Sequence, residues 1–203
     1  MSNEILYILL PDYAAHEAVY LSQAIASDEF ALKENPKYIN KVVAPTLEPI
    51  KSIGGLRTLP DYSFETMPGD YAALVLIGGF GWTMPVAEQV VPIVRQAIEN
   101  GKIVGAICNG ASFMAKYGFL NTVKHTGNGL EQLKLWGGGH YINSDGYVHV
   151  QAVSDKNIVT ANGSAALEFA KELLLLLDND TPERIEMYYQ FNKQGFCSFF
   201  ANQ

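Results

Sequence analysis

Two cysteines, four histidines and no cluster of basic residues in 203 positions narrow the reading before any motif is considered. Cys108 and Cys197 could pair, but one bridge is no framework for a chain this long, so a reducing cytoplasm is the expected setting. His16, His125, His140 and His149 show no ligand spacing with one another or with cysteine, and no metal is expected. Fourteen Lys and Arg stand against 21 Asp and Glu, a net charge of −7. With that balance, nucleic acid and anionic membrane surfaces are poor partners. Ile5–Leu10 and Leu173–Leu177 are too short to span a membrane. Glu4 precedes the first run where a signal peptide would carry basic residues.

What is present is apolar and regularly punctuated. At 48% hydrophobic and 17% charged, the chain is not a disordered one, and 1–203 is read as a single domain. Ile5–Leu10, Lys37–Ala44, Ala72–Ile77 and Lys102–Ile107 read as buried strands. Ala14–Ala26, Val86–Glu99, Ala111–Tyr117 and Ser164–Leu177 read as helices between and after them. Gly54-Gly55 marks a small hairpin, and Tyr147–Val153 and Asn157–Thr160 suit late strands. Thr181-Pro182 starts a last helix, with Thr181 as its cap. Alternating strands and helices predict an α/β fold, an open parallel sheet covered on both faces.

In such sheets ligands collect outside the carboxyl ends of the strands. Tyr13–Glu17, Gly78–Gly81 and Cys108–Gly110 each follow a strand, so they are expected at one edge. Cys108 would sit at a strand-to-helix corner like the serine of a nucleophile elbow, with Gly110 sparing the turn a Cβ clash. The helix start would favour its thiolate. A buried core cysteine explains the same stretch equally well, and Glu17 could be an ordinary first-turn acid. The functional alternative makes Cys108 a nucleophile and Glu17 a carboxyl beside it. Gly79 and Asn109 N–H groups would bind an oxyanion and His125 would carry a proton. A protonated Glu17 would donate to a thiolate and an ionised one would repel it; beside an anionic sulfur and under a glycine-lined turn, the carboxyl is expected to keep its proton and stabilise the thiolate. Gly78–Gly81 lacks the endings of phosphate-binding loops, and no cofactor is expected.

Ala106-Ile107-Cys108-Asn109-Gly110, with Gly78-Gly79 upstream, resembles the ThiJ/PfpI (DJ-one) family of the class I glutamine amidotransferase-like superfamily. Glu17 in Ala14-Ala15-His16-Glu17 falls on that family's acid position, and Ile158–Gly163 leading to Ala166–Ala170 resembles its C-terminal strand, turn and helix. The resemblance implies a flavodoxin-like sheet, a nucleophile-elbow cysteine, a glutamate bonded to its sulfur, and a homodimer. Two departures count. Asn109 stands where protease-like members carry histidine, and no late His-x-Glu pair follows Gly139. The expected function is a cysteine-dependent enzyme acting on a small carbonyl or amide compound, hydrolase-like or glyoxalase-like. A redox-sensing stress protein and a non-catalytic binding module are the alternatives.

Overall fold

The computed structural model describes residues 2–27 and 32–201. The chain opens with β1 (Glu4–Ile8), α1 (His16–Ala26) and β2 (Ile39–Ala44). A two-stranded excursion, β3 (Ile50–Lys51) and β4 (Arg57–Thr58), folds over Gly55, whose φ is 85°. Then come β5 (Tyr62–Ser63), β6 (Ala73–Leu76), α2 (Val90–Glu99), β7 (Ile103–Ile107), α3 (Asn109–Lys116) and α4 (Leu130–Gly137). The chain closes with β8 (Ala152–Asp155), β9 (Ile158–Ala161), α5 (Ala166–Leu176), α6 (Pro182–Gln194) and α7 (Phe196–Ala201). Among the described residues no helix is long and apolar enough to cross a membrane.

The main sheet runs β5-β2-β1-β6-β7-β9-β8 and is parallel except for β8, which pairs antiparallel with β9 at one edge. Its body, β2-β1-β6-β7-β9, has the flavodoxin-like order. Because side chains alternate along a strand, β1 and its extension feed two cores. Ile5, Tyr7 and Leu9 join the layer of α1, α5 and α6, while Leu6, Ile8 and Leu10 join that of α2, α3 and α4. The chain leaves β1 for β2 on one side and returns to β6 on the other. This reversal opens a crevice at the strands' carboxyl ends.

Several expected boundaries moved. α1 starts at His16 because the Ala14 N–H donates to Gly78 O at 2.9 Å, stitching Tyr13 and Ala14 to the turn after β6. The alternation over Tyr147–Val153 becomes a strand only at Ala152. Before it, a short turn over Ser144–Gly146 leads to Tyr147, which bridges to His125 instead of extending the sheet. The helix expected from Val86 begins at Val90, after a tighter turn over Pro85–Gln89, and the stretch Pro60–Gly69, expected as loop, adds the short edge strand β5 to β2. Thr181 Oγ1 accepts the Arg184 N–H at 3.4 Å to cap α6, and Leu173, Leu174 and Leu177 are buried on α5.

Gly110 has a different task from the one its position suggests. It takes no positive φ and lies in the first turn of α3, where an added Cβ would sit 2.7 Å from Leu76 O. Glycine here lets the helix lie on β6. Alanine would gain about 1 kcal/mol of helix propensity, but overpacking against a strand carbonyl that cannot move aside costs roughly 1–3 kcal/mol. Gly110→Ala is therefore expected to lower the urea midpoint by an amount equivalent to up to about 2 kcal/mol; a higher midpoint would show that α3 can lift off β6 freely.

Candidate active site

Cys108 takes φ 59° and ψ −124° between β7 and α3, a region that a side chain with a Cβ enters only under strain. Its backbone is pinned on both sides. The Cys108 N–H donates to Ala161 O at 3.0 Å, and its carbonyl accepts from Ala111 and Ser112 at 3.1 and 3.3 Å. The positive φ that the corner needs thus falls on the cysteine itself and throws the thiol out above the sheet end.

Glu17, in the first turn of α1, is 1% exposed. Gly78 N–H donates to its Oε2 at 2.7 Å, and its carboxyl lies beside the Cys108 thiol, each shifting the other's ionisation. Two glycines make room for this contact. A Cβ on Gly163 would lie 2.8 Å from Cys108 Sγ and 3.3 Å from Glu17 Oε1, and one on Gly78 would overlap Glu17 Oε2. The side chain of Asn109 braces the same turn by donating to Gly79 O at 2.9 Å, and Gln132 donates to Asn109 Oδ1 at 3.0 Å. Gly79 faces Tyr13 across a bridge flanked by Ala14 N–H to Gly78 O and Phe80 N–H to Asp12 O. That pattern turns the Gly79 N–H away from Tyr13.

Burial pushes the Glu17 carboxyl up from 4.5 to about 7, against the opposing pull of Gly78 N–H, Cys108 and His16. Burial, followed by the charge of Glu17, also raises the Cys108 thiol above its ordinary 9.0. Asn128 and the Asn109 N–H work in the other direction and are outweighed. The net effect reverses what the helix start alone predicts. Because Gly78 N–H supports the carboxylate while the thiol is held high, the carboxyl ionises first. As the pH rises through about 7 the carboxyl becomes a carboxylate able to accept from the thiol, while the thiol keeps its proton.

His125 does not join this pair. It is fully buried, with Nδ1 donating to Val123 O at 2.9 Å and Nε2 accepting from the Tyr141 hydroxyl at 2.7 Å. Burial lowers its pKa, in keeping with a neutral ring. Its backbone pairs with Gly146 and Val148 and so carries the wall that starts at Tyr147. The group that does reach the sulfur is Asn128, whose Nδ2 donates to Sγ at 3.3 Å. Its Oδ1 accepts the Gly163 N–H at 2.9 Å, while His16 Nε2 donates to Gly163 O at 3.2 Å. An open cleft of about 730 Å³ lies over these groups, lined by Cys108, Asn128, Tyr147, His149, Gln151 and Asn162 among others. Nothing in the sequence pointed to Asn128 as a neighbour of the thiol or to His149 as part of the cleft wall. Gly127-Asn128-Gly129 reads as a plain turn, and contact across 20 residues leaves no local trace. Cys197 is exposed on α7, and both cysteines are free. Among the described residues no group of His, Cys, Asp and Glu could hold a metal.

The chain matches the DJ-1/PfpI family over residues 3–176. It is 37% identical over 195 residues to the Uncharacterized protease YdeA of Bacillus subtilis, covering 96% of this chain and 93% of that one. The Uncharacterized protease YoaZ of the same organism is 36% identical over 154 residues, 75% of this chain and 73% of its own. The structure of a ThiJ/PfpI family protein from Bacillus anthracis superposes with a TM-score of 0.90 at 31% identity, over 99% of this chain and 95% of the other. A DJ-1 superfamily protein of Agrobacterium tumefaciens gives 0.82 at 32%, over 96% and 99%.

The raised Glu17 pKa has a consequence for stability. Its folded value lies above the unfolded one, so the folded chain binds the proton more tightly between about 4.5 and 7. Stability falls as pH rises through that window and levels off above it, by roughly 3 kcal/mol in total. Glu17→Gln should flatten this slope when urea midpoints of variant and wild type are compared across the window; parallel curves would mean that Glu17 ionises as freely as in the unfolded chain. His125→Phe leaves the Tyr141 hydroxyl and Val123 carbonyl without their partner. It should cost about 1–3 kcal/mol yet leave the pH profile of Cys108 alkylation where it was. A shifted profile would restore His125 to the site.

Proposed function

The chain belongs to the DJ-1/PfpI family, and on that footing we propose that it is a cysteine-dependent enzyme in which the Cys108 thiol adds to the carbonyl carbon of a small aldehyde. The observation that carries this reading is the Cys108 thiol beside a buried carboxyl of pKa about 7 at an open cleft. A thiol that is not ionised by itself needs a base beside it. Glu17 is that base. As sulfur attacks, the S–H proton passes to the carboxylate and the carbonyl oxygen becomes an alkoxide. The N–H groups of Asn109 and Gly79 are the donors proposed to hold it. The proton on Glu17 returns to the alkoxide; in the adduct of a 2-oxoaldehyde the hydrogen on C1 then shifts as a proton to C2 through an enediol, giving a 2-hydroxy thioester that water hydrolyses to the 2-hydroxy acid and the free thiol.

Aldehydes are preferred over peptides on chemical grounds. Amide cleavage needs an acid for the departing amine, commonly histidine, and both nitrogens of His125 are engaged elsewhere. Both Bacillus subtilis relatives are named as uncharacterized proteases, so peptide and small amide substrates belong in the same screen. Wild type, Cys108→Ala and Glu17→Gln would be assayed against short aldehydes, 2-oxoaldehydes such as methylglyoxal, amides and a peptide. Turnover of a 2-oxoaldehyde to the 2-hydroxy acid is expected, absent in Cys108→Ala and reduced about 10²–10⁴-fold in Glu17→Gln. Wild-type kcat/KM should rise with pH through a limb near 7 as Glu17 ionises. Aldehyde turnover that survives Cys108→Ala would overturn the proposal. So would an inert protein whose Cys108 is reversibly oxidised by mild peroxide, a result that favours a redox sensor.

A further inference from the structure

We propose that Asn128 is a catalytic hydrogen-bond donor of this site, one that supports the Cys108 sulfur as negative charge forms on it; this rests on the reading of Cys108 as nucleophile. The orientation of the Asn128 amide is settled by its neighbours. Gly163 N–H can only donate, so the atom 2.9 Å from it is the amide oxygen, and the NH₂ group is left to face Sγ at 3.3 Å. A rotated amide would set NH₂ against N–H and lose both bonds.

The loop that carries Asn128 is held before any substrate arrives. The Thr126 N–H donates to Thr160 Oγ1 at 2.8 Å, and Thr126 Oγ1 donates to Val150 O at 2.9 Å, with the threonine fully buried. Gly127 lies against Leu133 and Ala111, and α4 begins two residues after Asn128. A donor fixed in this way needs no reorganisation when charge appears, which is the condition for strong electrostatic stabilisation.

Charge balance around the sulfur gives the donor a purpose. Burial and the Glu17 carboxylate both oppose a thiolate, and the Asn109 N–H and the Asn128 amide are what offset them. Asn128 cannot take the proton, so it does not compete with Glu17 as base. The two side chains divide the work, with the carboxylate removing the proton and the neutral amide stabilising the sulfur left behind.

The test uses the full chain with Asn128→Asp and Asn128→Ala. Iodoacetamide alkylation is followed across a pH series by mass spectrometry of the Cys108 peptide, with the exposed Cys197 as internal reference. Asn128→Asp is nearly isosteric and can still accept from Gly163 N–H, but it replaces the donor by a like charge. The Cys108 midpoint should move up by about one unit in Asn128→Ala, a tenfold loss of thiolate at fixed pH, and further in Asn128→Asp. Cys197 should not move. A Cys108 midpoint unchanged in Asn128→Asp would overturn the proposal and leave Asn128 as a brace for the Gly163 turn, a role visible only in thermal stability. Alkylation does not depend on turnover, so failure here is distinct from aldehyde turnover that survives Cys108→Ala.

Discussion

A carboxyl group shut away from water beside a thiol, with a single backbone N–H on one of its oxygens, is the interaction around which the rest of the molecule is arranged. Burying a carboxylate without compensation is expensive. Here the compensation comes from Gly78 N–H at 2.7 Å and from the thiol itself. Each of these demands something of the fold. The N–H must leave β6 at the sheet end, the thiol must stand above β7, and the helix after β1 must start where its first turn overlies both. The flavodoxin-like strand order sets these three segments side by side although about thirty residues or more separate them in the chain. The two glycines then remove the side chains that would stand between Glu17 and Cys108.

Much of this was legible from residue patterns, and the parts that were not have a common cause. Continuous apolar runs identified β1, β6 and β7, because strands buried on both faces need apolar residues at every position. Punctuation by Gly78-Gly79 and Asn109-Gly110 located the turns that follow. The segment from Tyr147 to Gln151 misled because alternation marks any extended chain with two unlike sides, and here the segment bridges to His125 and lines the cleft instead of joining the sheet. His125 was placed correctly along the chain but not in space. A histidine next to a buried threonine gives no sign of which side its ring takes, and burial turned it toward Tyr141. Asn128 was silent for the opposite reason, since polar residues between glycines look alike whether they face solvent or a sulfur atom.

The electrostatics also corrected a habit of reasoning. A cysteine at a helix start is usually expected to be acidic, through N–H groups aimed at the sulfur. That effect is present here in the Asn109 N–H, yet burial and a neighbouring carboxylate are larger and of opposite sign. Such a thiol is protected from casual modification until a base accepts its proton. The carboxyl that raises its pKa is therefore also the group able to relieve it.

The corner conformation of Cys108 has a further consequence, for what happens to this chain under selection. With φ at 59° and ψ at −124°, the cysteine occupies backbone space natural to glycine. The strain is roughly 1–3 kcal/mol, a sizeable share of the stability of an ordinary domain. A library of variants sorted by heat resistance alone would accordingly enrich Cys108→Gly, a better-folded chain with no thiol. The most thermostable descendant of this protein and its most reactive one would diverge at that single residue.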